Sequence, residues 1–270
     1  MNHSQETRVA TQAKPDPDVA GFFEDNGYYL ARGVYSEDTL GPLEEDFDRI
    51  VGQLEHSGEN INARWEGAYT DGIDGGASRI LHTHNVQRYS SRWLDALRQT
   101  SFLDVAETIL GPDIVLHHTK LFQKPPREGA PFPMHQDWTY FPAHRDSMVA
   151  GIIFLTDADA ESGGLCVYPG SHKLGRIDDS SGRTASEVLD EYPLERATPV
   201  EARRGDVFFF SYLTLHGSTP NRSDRHRKTV LAQLISGRDH VVEREGQSHV
   251  NEQLVLRGWN YHMSRNQADH

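Results

Sequence analysis

The sequence contains three side chains that can bind a metal ion and a cation that can hold an acidic ligand. Asp137 follows His135 by two positions, His216 follows His135 by 81 positions, and Arg227 follows His216 by 11 positions. Two imidazoles and one carboxylate on one side of an octahedral ion leave the opposite positions open for chemistry. This arrangement is typical of non-haem Fe(II) oxygenases. The pattern therefore predicts an enzyme.

The spacing of the three ligands suits β-strands. On an extended segment His135 and Asp137 share one face, while Gln136 points to the other. His216 follows the run 208–215, which is apolar enough to form a buried strand that carries the histidine to the same place. Imidazole and carboxylate suit zinc and manganese as well as iron, so ligand type alone leaves the metal open.

Arg227 is the candidate anchor for an acidic co-substrate. Its planar guanidinium can grip the far carboxylate of a dicarboxylate through two parallel hydrogen bonds. Ser218, two residues after His216, can donate its hydroxyl to the same group. Three neighbouring cations compete for this role: Arg222, Arg225 and Lys228.

The N-terminal part of the chain predicts helices around one short strand. A short helix is expected over 16–27, where Asn26-Gly27 is a stop signal, and a strand over 28–34. Apolar residues recur at helical spacing over 37–54, which is the clearest amphipathic pattern. A further helical stretch runs over 91–109 and stops at Gly111-Pro112.

The rest of the chain has the texture of short strands separated by turn residues. Candidate strands are Ile114 to Gln123, Met148 to Leu155, Leu165 to Tyr168, Val207 to Tyr212 and Lys228 to Ile235. Many short strands of this kind indicate a sandwich or a jelly roll. Residues 59–78 are expected to form a loop that can cover the site. Residues 175–199 are expected to leave the barrel as a non-strand segment with a short helix over 185–191.

Composition narrows the classes of function. The chain has 270 residues, of which 36% are hydrophobic and 25% charged, and it lacks the roughly 20 consecutive apolar residues of a membrane span. Its net charge is -13 with scattered cations, which argues against nucleic acid as a partner. A single cysteine, Cys166, lies in an apolar run and is expected to be a buried hydrophobe. With no apolar signal segment in the polar N-terminus, we expect a cytoplasmic protein.

Seven short motifs occur in a characteristic order between residues 22 and 235. They are Lys124-Pro125-Pro126, His135-Gln136-Asp137, Tyr140-Phe141-Pro142, Gly163-Gly164-Leu165, Pro169-Gly170-Ser171-His172, Gly205-Asp206 and His216-Gly217-Ser218. This order resembles the phytanoyl-CoA dioxygenase family of Fe(II)/2-oxoglutarate oxygenases. The resemblance implies a mainly β fold with a helical flank: a double-stranded β-helix (jelly roll, cupin-like) with N-terminal helices packed on one sheet.

The resemblance also implies a domain plan. Residues 19–262 would form a single jelly-roll dioxygenase domain with a helical N-terminal part. Residues 1–18 would be a polar, flexible N-terminus, and 263–270 a polar tail.

The resemblance further implies roles for individual residues. His135, Asp137 and His216 would bind Fe(II), and Arg227 with Ser218 would bind 2-oxoglutarate. Two co-substrate positions depart from the family: Asn85 stands where a lysine precedes Val-Gln, and Ile152 stands at the tryptophan position. Lys120 on the strand 114–123 either supplies the missing cation or points outward in a salt bridge.

The implied reaction consumes O2 and 2-oxoglutarate, releases succinate and CO2, and hydroxylates an unactivated C–H bond. Asp137, where related halogenases have Gly or Ala, implies hydroxylase-type chemistry, and leaves desaturation and ring formation open. The absence of a basic cluster favours a small metabolite or natural product over an acyl-CoA. Two alternatives stay open: a zinc or manganese hydrolase using the same triad, and a non-catalytic jelly-roll binding protein.

Other residues near the motifs have plainer explanations. Six further histidines are expected to be structural or exposed: His82, His84, His117, His118, His144 and His172. The aromatic residues Trp138, Tyr140 and Phe141 either line a substrate pocket or pack in the core or a lid.

Overall fold

A computed structural model describes residues 18–57, 81–127, 129–177, 187, 189–242 and 251–263. The predicted loop over 59–78 lies outside the described residues. So do the polar N-terminus, apart from residue 18, the C-terminal tail, apart from residue 263, and part of the helix predicted over 185–191.

Four helices are described in the first half of the chain: α1 (Val19–Asn26), α2 (Glu37–Ser57), α3 (Arg92–Leu97) and α4 (Thr100–Leu110). Helix α1 ends at Gly27, whose φ of 76° is the left-handed conformation that favours glycine. Helix α2 buries its predicted apolar stripe, including Leu40, Phe47 and Ile50. Among these helices none has the length and apolar character needed to cross a membrane.

The helical stretch predicted over 91–109 contains two helices, α3 and α4. Gln99 lies between them and has an extended backbone with φ -62° and ψ 138°. The Gln99 side chain donates to the hydroxyl of Thr39 on α2 at 3.1 Å. The break at Gln99 was not predicted, because apolar periodicity does not show where one helix ends and the next begins.

The described strands form two antiparallel sheets. The strands are β1 (Tyr28–Ala31), β2 (Leu81–His84), β3 (Ile114–Lys124), β4 (Phe132–His135), β5 (Val149–Phe154), β6 (Leu165–Val167), β7 (Thr198–Pro199), β8 (Val207–Ser211), β9 (His216–Ser218), β10 (Arg227–Ser236) and β11 (Leu254–Arg257). The larger sheet has the order β1-β8-β5-β10-β3-β11, with β2 also paired to β3, and the smaller has the order β4-β9-β6-β7.

The larger sheet is buried on both faces. On β8, Val207 and Phe209 pack in the cluster that includes the helices, whereas Phe208 and Phe210 pack in the cluster that includes the smaller sheet. Because successive side chains alternate between faces, an uninterrupted apolar run is what a central strand of this kind requires. The fold is the predicted jelly roll with helices on one sheet.

Candidate metal and co-substrate site

Strand pairing brings the predicted metal ligands together. His135 ends β4 and His216 begins β9, and the two are direct partners in the β4–β9 ladder. Their ring centroids are 4.2 Å apart. Gln136 is extended, with φ -113° and ψ 142°, and Asp137 opens the 3-10 turn that follows. The extended segment expected between His135 and Asp137 is present.

The three side chains present their metal-binding atoms to one another. The Nε2 atoms of His135 and His216 lie 3.5 Å and 3.7 Å from the same Asp137 oxygen. Each Nδ1 instead lies against a backbone carbonyl, that of Pro133 at 2.8 Å and that of Thr214 at 2.9 Å. A carbonyl only accepts, so each Nδ1 donates its hydrogen there, and each Nε2 is the ring atom that faces the position of a metal.

The donor set fits a divalent cation. All three ligand atoms lie within 4.8 Å of one another, and in the described part of the chain this is the one such group of three. Burial, together with His135, lowers the pKa of His216 to about 4. Although burial acts to raise the pKa of Asp137, His216, His135 and Lys120 hold it below its usual value. His216 is therefore neutral and Asp137 ionised at neutral pH, the forms that bind a metal.

Gln136 points away from the ligands, as the spacing predicts. Its side chain forms hydrogen bonds that connect the segment 135–137 to other parts of the chain. Its side-chain amide donates to the carbonyls of Gly175 at 2.9 Å and Leu213 at 2.6 Å. Its amide oxygen accepts from the backbone N–H of Ile177 at 3.1 Å. The buried amide thus joins the segment between two ligands to the chain that precedes His216.

Arg227 lies at one end of a cavity, beside a cation that sequence reasoning missed. Arg227 opens β10 directly opposite Lys124 of β3, and both side chains are buried. The Lys124 ammonium donates to the Ser218 hydroxyl and to the Thr219 carbonyl, each at 2.6 Å. Because lysine only donates, the Ser218 hydroxyl keeps its own hydrogen for a ligand.

This end of the cavity has the properties of an anion site. Burial lowers the pKa of Arg227 to about 10 and the pKa of Lys124 well below its usual value, with Arg227 adding repulsion to Lys124. The Nε atom of Arg227 has no hydrogen-bond partner among the described residues. A signal for Lys124 was present in the sequence, because Lys120 and Lys124 fall on the same strand face at the period of two.

The competing cations lie elsewhere. Arg225 pairs with Asp159 at 2.9 Å on the surface. Lys228 pairs with Glu44 and Asp48, and Arg222 is not among the residues of the described cavity wall. Of the four cations considered, Arg227 is the one on that wall.

The cavity joins the triad to Arg227 and has a volume of about 410 Å³. Lys120 and Ile152 lie on its wall, whereas Asn85 is not part of the described wall. Asn85 begins a 3-10 turn with a φ of 57°, and its side-chain oxygen accepts a long hydrogen bond of 3.4 Å from Gln87. The structure therefore brings Lys120, but not Asn85, to the cavity that holds the triad.

Several of the further histidines and aromatic residues considered in the sequence analysis line the same cavity. His82, His84 and His118 lie on its wall, although they were expected to be structural or exposed. Tyr140 and Phe141 line it as well. Trp138 is not part of the described wall and packs in the hydrophobic cluster that also contains Phe141. His117, His144 and His172 are not part of the described wall. Cys166 is buried, as its apolar surroundings predicted.

Comparison with known proteins agrees with this geometry. The family model for phytanoyl-CoA dioxygenase (PhyH) matches residues 23–229. A probable alpha-ketoglutarate-dependent hypophosphite dioxygenase from Stutzerimonas stutzeri is 28% identical over 218 residues, which are 77% of this chain and 74% of that protein. Peroxisomal phytanoyl-CoA dioxygenase from Bos taurus is 25% identical over 241 residues, 85% of this chain and 71% of that protein.

A solved structure shares the fold. The non-haem alpha-ketoglutarate-dependent carbocyclase SnoK from nogalamycin biosynthesis superposes with a TM-score of 0.72 at 21% identity. The match covers 86% of this chain and 88% of that one.

Proposed function

The chain belongs to the phytanoyl-CoA dioxygenase family and is an iron(II)- and 2-oxoglutarate-dependent oxygenase, and we propose that it hydroxylates an unactivated C–H bond of a small molecule. One observation carries the proposal. The three converging ligands His135, Asp137 and His216 share a cavity with a buried arginine whose Nε atom has no partner in the described chain.

Each residue at the site has a definite task in this proposal. His135, Asp137 and His216 hold the iron, and the Arg227 guanidinium and the Ser218 hydroxyl hold the far carboxylate of 2-oxoglutarate. Iron, when bound, would let O2 act as the oxidant: 2-oxoglutarate would supply two electrons and leave as succinate and CO2, and the C–H bond would supply the other two and gain one oxygen atom. Phe210, a residue of the buried core, lies on the cavity wall and helps to exclude water from the site.

No side chain needs to act as a general base in this reaction. The chain contributes orientation, a dry site and fixed charges. Lys124 serves by holding the Ser218 hydroxyl in place and by adding positive charge beside Arg227.

The size of the cavity supports a small substrate. Ligand cavities usually measure about 300 to 1,000 Å³, and this one, at about 410 Å³, must hold both 2-oxoglutarate and the substrate. The two relatives above differ on this point, since one is named for hypophosphite and the other for an acyl-CoA. The cavity and the lack of a basic cluster favour a small metabolite or natural product.

The relatives favour the oxygenase over the two other candidates. Both are named as dioxygenases, whereas a metal hydrolase or a non-catalytic binding protein would share the fold alone. A hydrolase would activate water at the metal and would have no use for Arg227.

The test is turnover with Fe(II), 2-oxoglutarate and O2 over a panel of small acids, amides and acyl-CoA esters. We expect succinate release to be stimulated by a small molecule that gains one oxygen atom, measured by mass spectrometry. Saturation with an acyl-CoA and not with its free acid would overturn the assignment of a small substrate. Arg227→Gln should show this activity only at a much higher concentration of 2-oxoglutarate. Arg225→Gln, which changes a surface arginine, is the matched control for that variant.

A further inference from the structure

Gln233 is a buried polar residue on the cavity wall whose hydrogen-bonding capacity is unused. Its side chain is 0% exposed, and neither its amide nitrogen nor its amide oxygen has a hydrogen-bond partner within the described chain. Leaving a buried amide unsatisfied is costly, so these two atoms need a partner from outside the described chain. A ligand group that both donates and accepts, such as an amide, would match them both.

The strand register places Gln233 away from the end of the cavity that holds Arg227. Both residues lie on β10, and six residues of strand span about 20 Å. Gln233 pairs with His118 of β3, and Arg227 pairs with Lys124. The side chains of this face therefore run from an anion site at Arg227 to a second polar group at Gln233.

Lys120 stands next to Gln233 in this arrangement. Lys120 pairs with Leu231, so Lys120 and Gln233 are diagonal neighbours on one sheet face, with Cβ atoms about 7 to 8 Å apart. Lys120 is four residues, or about 13 Å of strand, from Lys124. Lys120, which the sequence suggested as a contact for 2-oxoglutarate, thus faces the part of the cavity beyond Arg227.

The charge of the cavity wall leaves Lys120 available for an anion. The described wall carries one carboxylate, Asp137, which is one of the three metal ligands. The lysine and the arginine on the described wall are Lys120 and Arg227. Once Asp137 and the two carboxylates of 2-oxoglutarate are matched with the iron and Arg227, positive charge remains at Lys120. Burial lowers the pKa of Lys120 to about 8, which still leaves most of it charged at neutral pH.

We propose that Lys120 and Gln233 form the substrate-recognition pair of the cavity, and that the substrate is a small carboxylic acid carrying an amide-like group. The Lys120 ammonium binds the carboxylate, and the Gln233 carboxamide exchanges two hydrogen bonds with the amide. Leu231, which is opposite Lys120 and two residues before Gln233 on the same face of β10, packs against the intervening carbon atoms. This inference rests on the proposed function, because it takes the Arg227 end of the cavity as the place of 2-oxoglutarate.

The experiment is isothermal titration calorimetry under argon on protein loaded with Fe(II) and 2-oxoglutarate. The probes are N-acetylglycine, which has both groups, N-acetylglycinamide, which lacks the charge, and butanoate, which lacks the amide. We expect N-acetylglycine to bind at least about tenfold more tightly than either analogue, since N-acetylglycinamide loses the charged hydrogen bond to Lys120 and butanoate loses both hydrogen bonds to Gln233.

Two variants separate the contributions of Lys120 and Gln233 to binding of the probes. Lys120→Gln should lose the preference for N-acetylglycine over N-acetylglycinamide, and Gln233→Leu should lose the preference over butanoate. Both should bind 2-oxoglutarate as the wild type does, which also shows that they are folded. Lys173→Gln and Gln53→Leu, changes at exposed positions, should keep both preferences.

Three outcomes would overturn the inference. One is that no probe binds although the iron and 2-oxoglutarate complex forms. Another is that the two cavity variants keep both preferences. The third is that Lys120→Gln weakens 2-oxoglutarate binding and leaves the probes unaffected. Failure of the wild type to bind 2-oxoglutarate would instead refute the proposed function, and it is distinguished from these three outcomes because the iron and 2-oxoglutarate complex then does not form.

Discussion

Lys124 and Arg227 lie directly opposite each other on β3 and β10, with both side chains buried. Two like charges in a buried site are unfavourable unless an anion joins them. The described wall of the cavity has one carboxylate, Asp137, and that group faces the two histidines of the triad. The pair therefore accounts for both the position and the charge of the co-substrate that we propose.

Lys124→Met should weaken 2-oxoglutarate binding by about tenfold, because it removes one cation and the donor that orients Ser218. Its thermal stability should be unchanged or higher, since a buried charge is replaced by an apolar chain of similar length. Calorimetric titration with 2-oxoglutarate and thermal unfolding measure the two effects. A less stable variant with wild-type affinity would show that Lys124 is only structural.

Arg227→Gln should have a larger effect. Removing one partner of a buried, hydrogen-bonded charge pair costs about 2 to 5 kcal/mol, so the KM for 2-oxoglutarate should rise by at least about 30-fold. Iron binding should persist, because the triad is untouched. In Arg225→Gln, where the lost partner is Asp159 on the surface, the KM should stay at its wild-type value. Equal effects of the two substitutions would contradict the assignment.

Gln136→Leu should loosen the segment that carries His135 and Asp137. The substitution leaves the carbonyls of Gly175 and Leu213 and the N–H of Ile177 without their partner. We expect iron affinity to fall by about 10- to 100-fold, the range seen when groups that orient metal ligands are removed. Metal content after dialysis measures it, with Gln53→Leu as the matched control. Undiminished iron content in Gln136→Leu would show that the amide has no part in orienting the ligands.

Glu44→Gln should lower stability through a network that fixes the start of β10. Glu44 of α2 accepts from Lys228 at 2.9 Å and from Arg204 at 2.6 Å. Burial acts to raise the pKa of Glu44, but Lys228 and Arg204 outweigh it and hold the pKa below its usual 4.5. A carboxyl group with a lowered pKa in the folded state contributes stability above the unfolded pKa and loses it as pH falls through the folded pKa.

The free energy of unfolding of Glu44→Gln should accordingly be about 1 kcal/mol lower than that of the wild type at neutral pH. The difference should shrink as the pH falls below about 4.5. Urea unfolding across this pH range measures it, with the exposed Glu55→Gln as the control. A difference that does not change with pH would mean that packing, and not charge, is responsible.

Elements with strong periodicity could be predicted from the sequence. The apolar run over 207–212 predicted β8 correctly, because a strand buried on both faces is apolar at nearly every position. The strands β4 and β9 were not predicted, because four and three residues are too few for a pattern and their pairing is a long-range contact. Yet the pairing of His135 with His216 is what assembles the triad.

The wall of the cavity was harder to predict than the metal ligands. Gln233 and His84 come from strands far apart in sequence, and nothing local shows that their side chains share a space. Lys124 could have been found from its spacing with Lys120, because residues four apart on one strand lie on the same face. Lys124 also belongs to the motif Lys124-Pro125-Pro126, but the motif alone does not show that its side chain lies beside Arg227.

The most direct test of the central claim is anaerobic addition of Fe(II) and 2-oxoglutarate to the purified protein, followed by admission of air. We expect the weak visible absorption band of an iron(II)–2-oxoglutarate complex, and then release of succinate. His216→Ala should give neither, and Arg227→Gln should need much more 2-oxoglutarate to give the band. No band and no succinate from the wild type, even with candidate substrates present, would contradict the assignment as an iron(II)- and 2-oxoglutarate-dependent oxygenase.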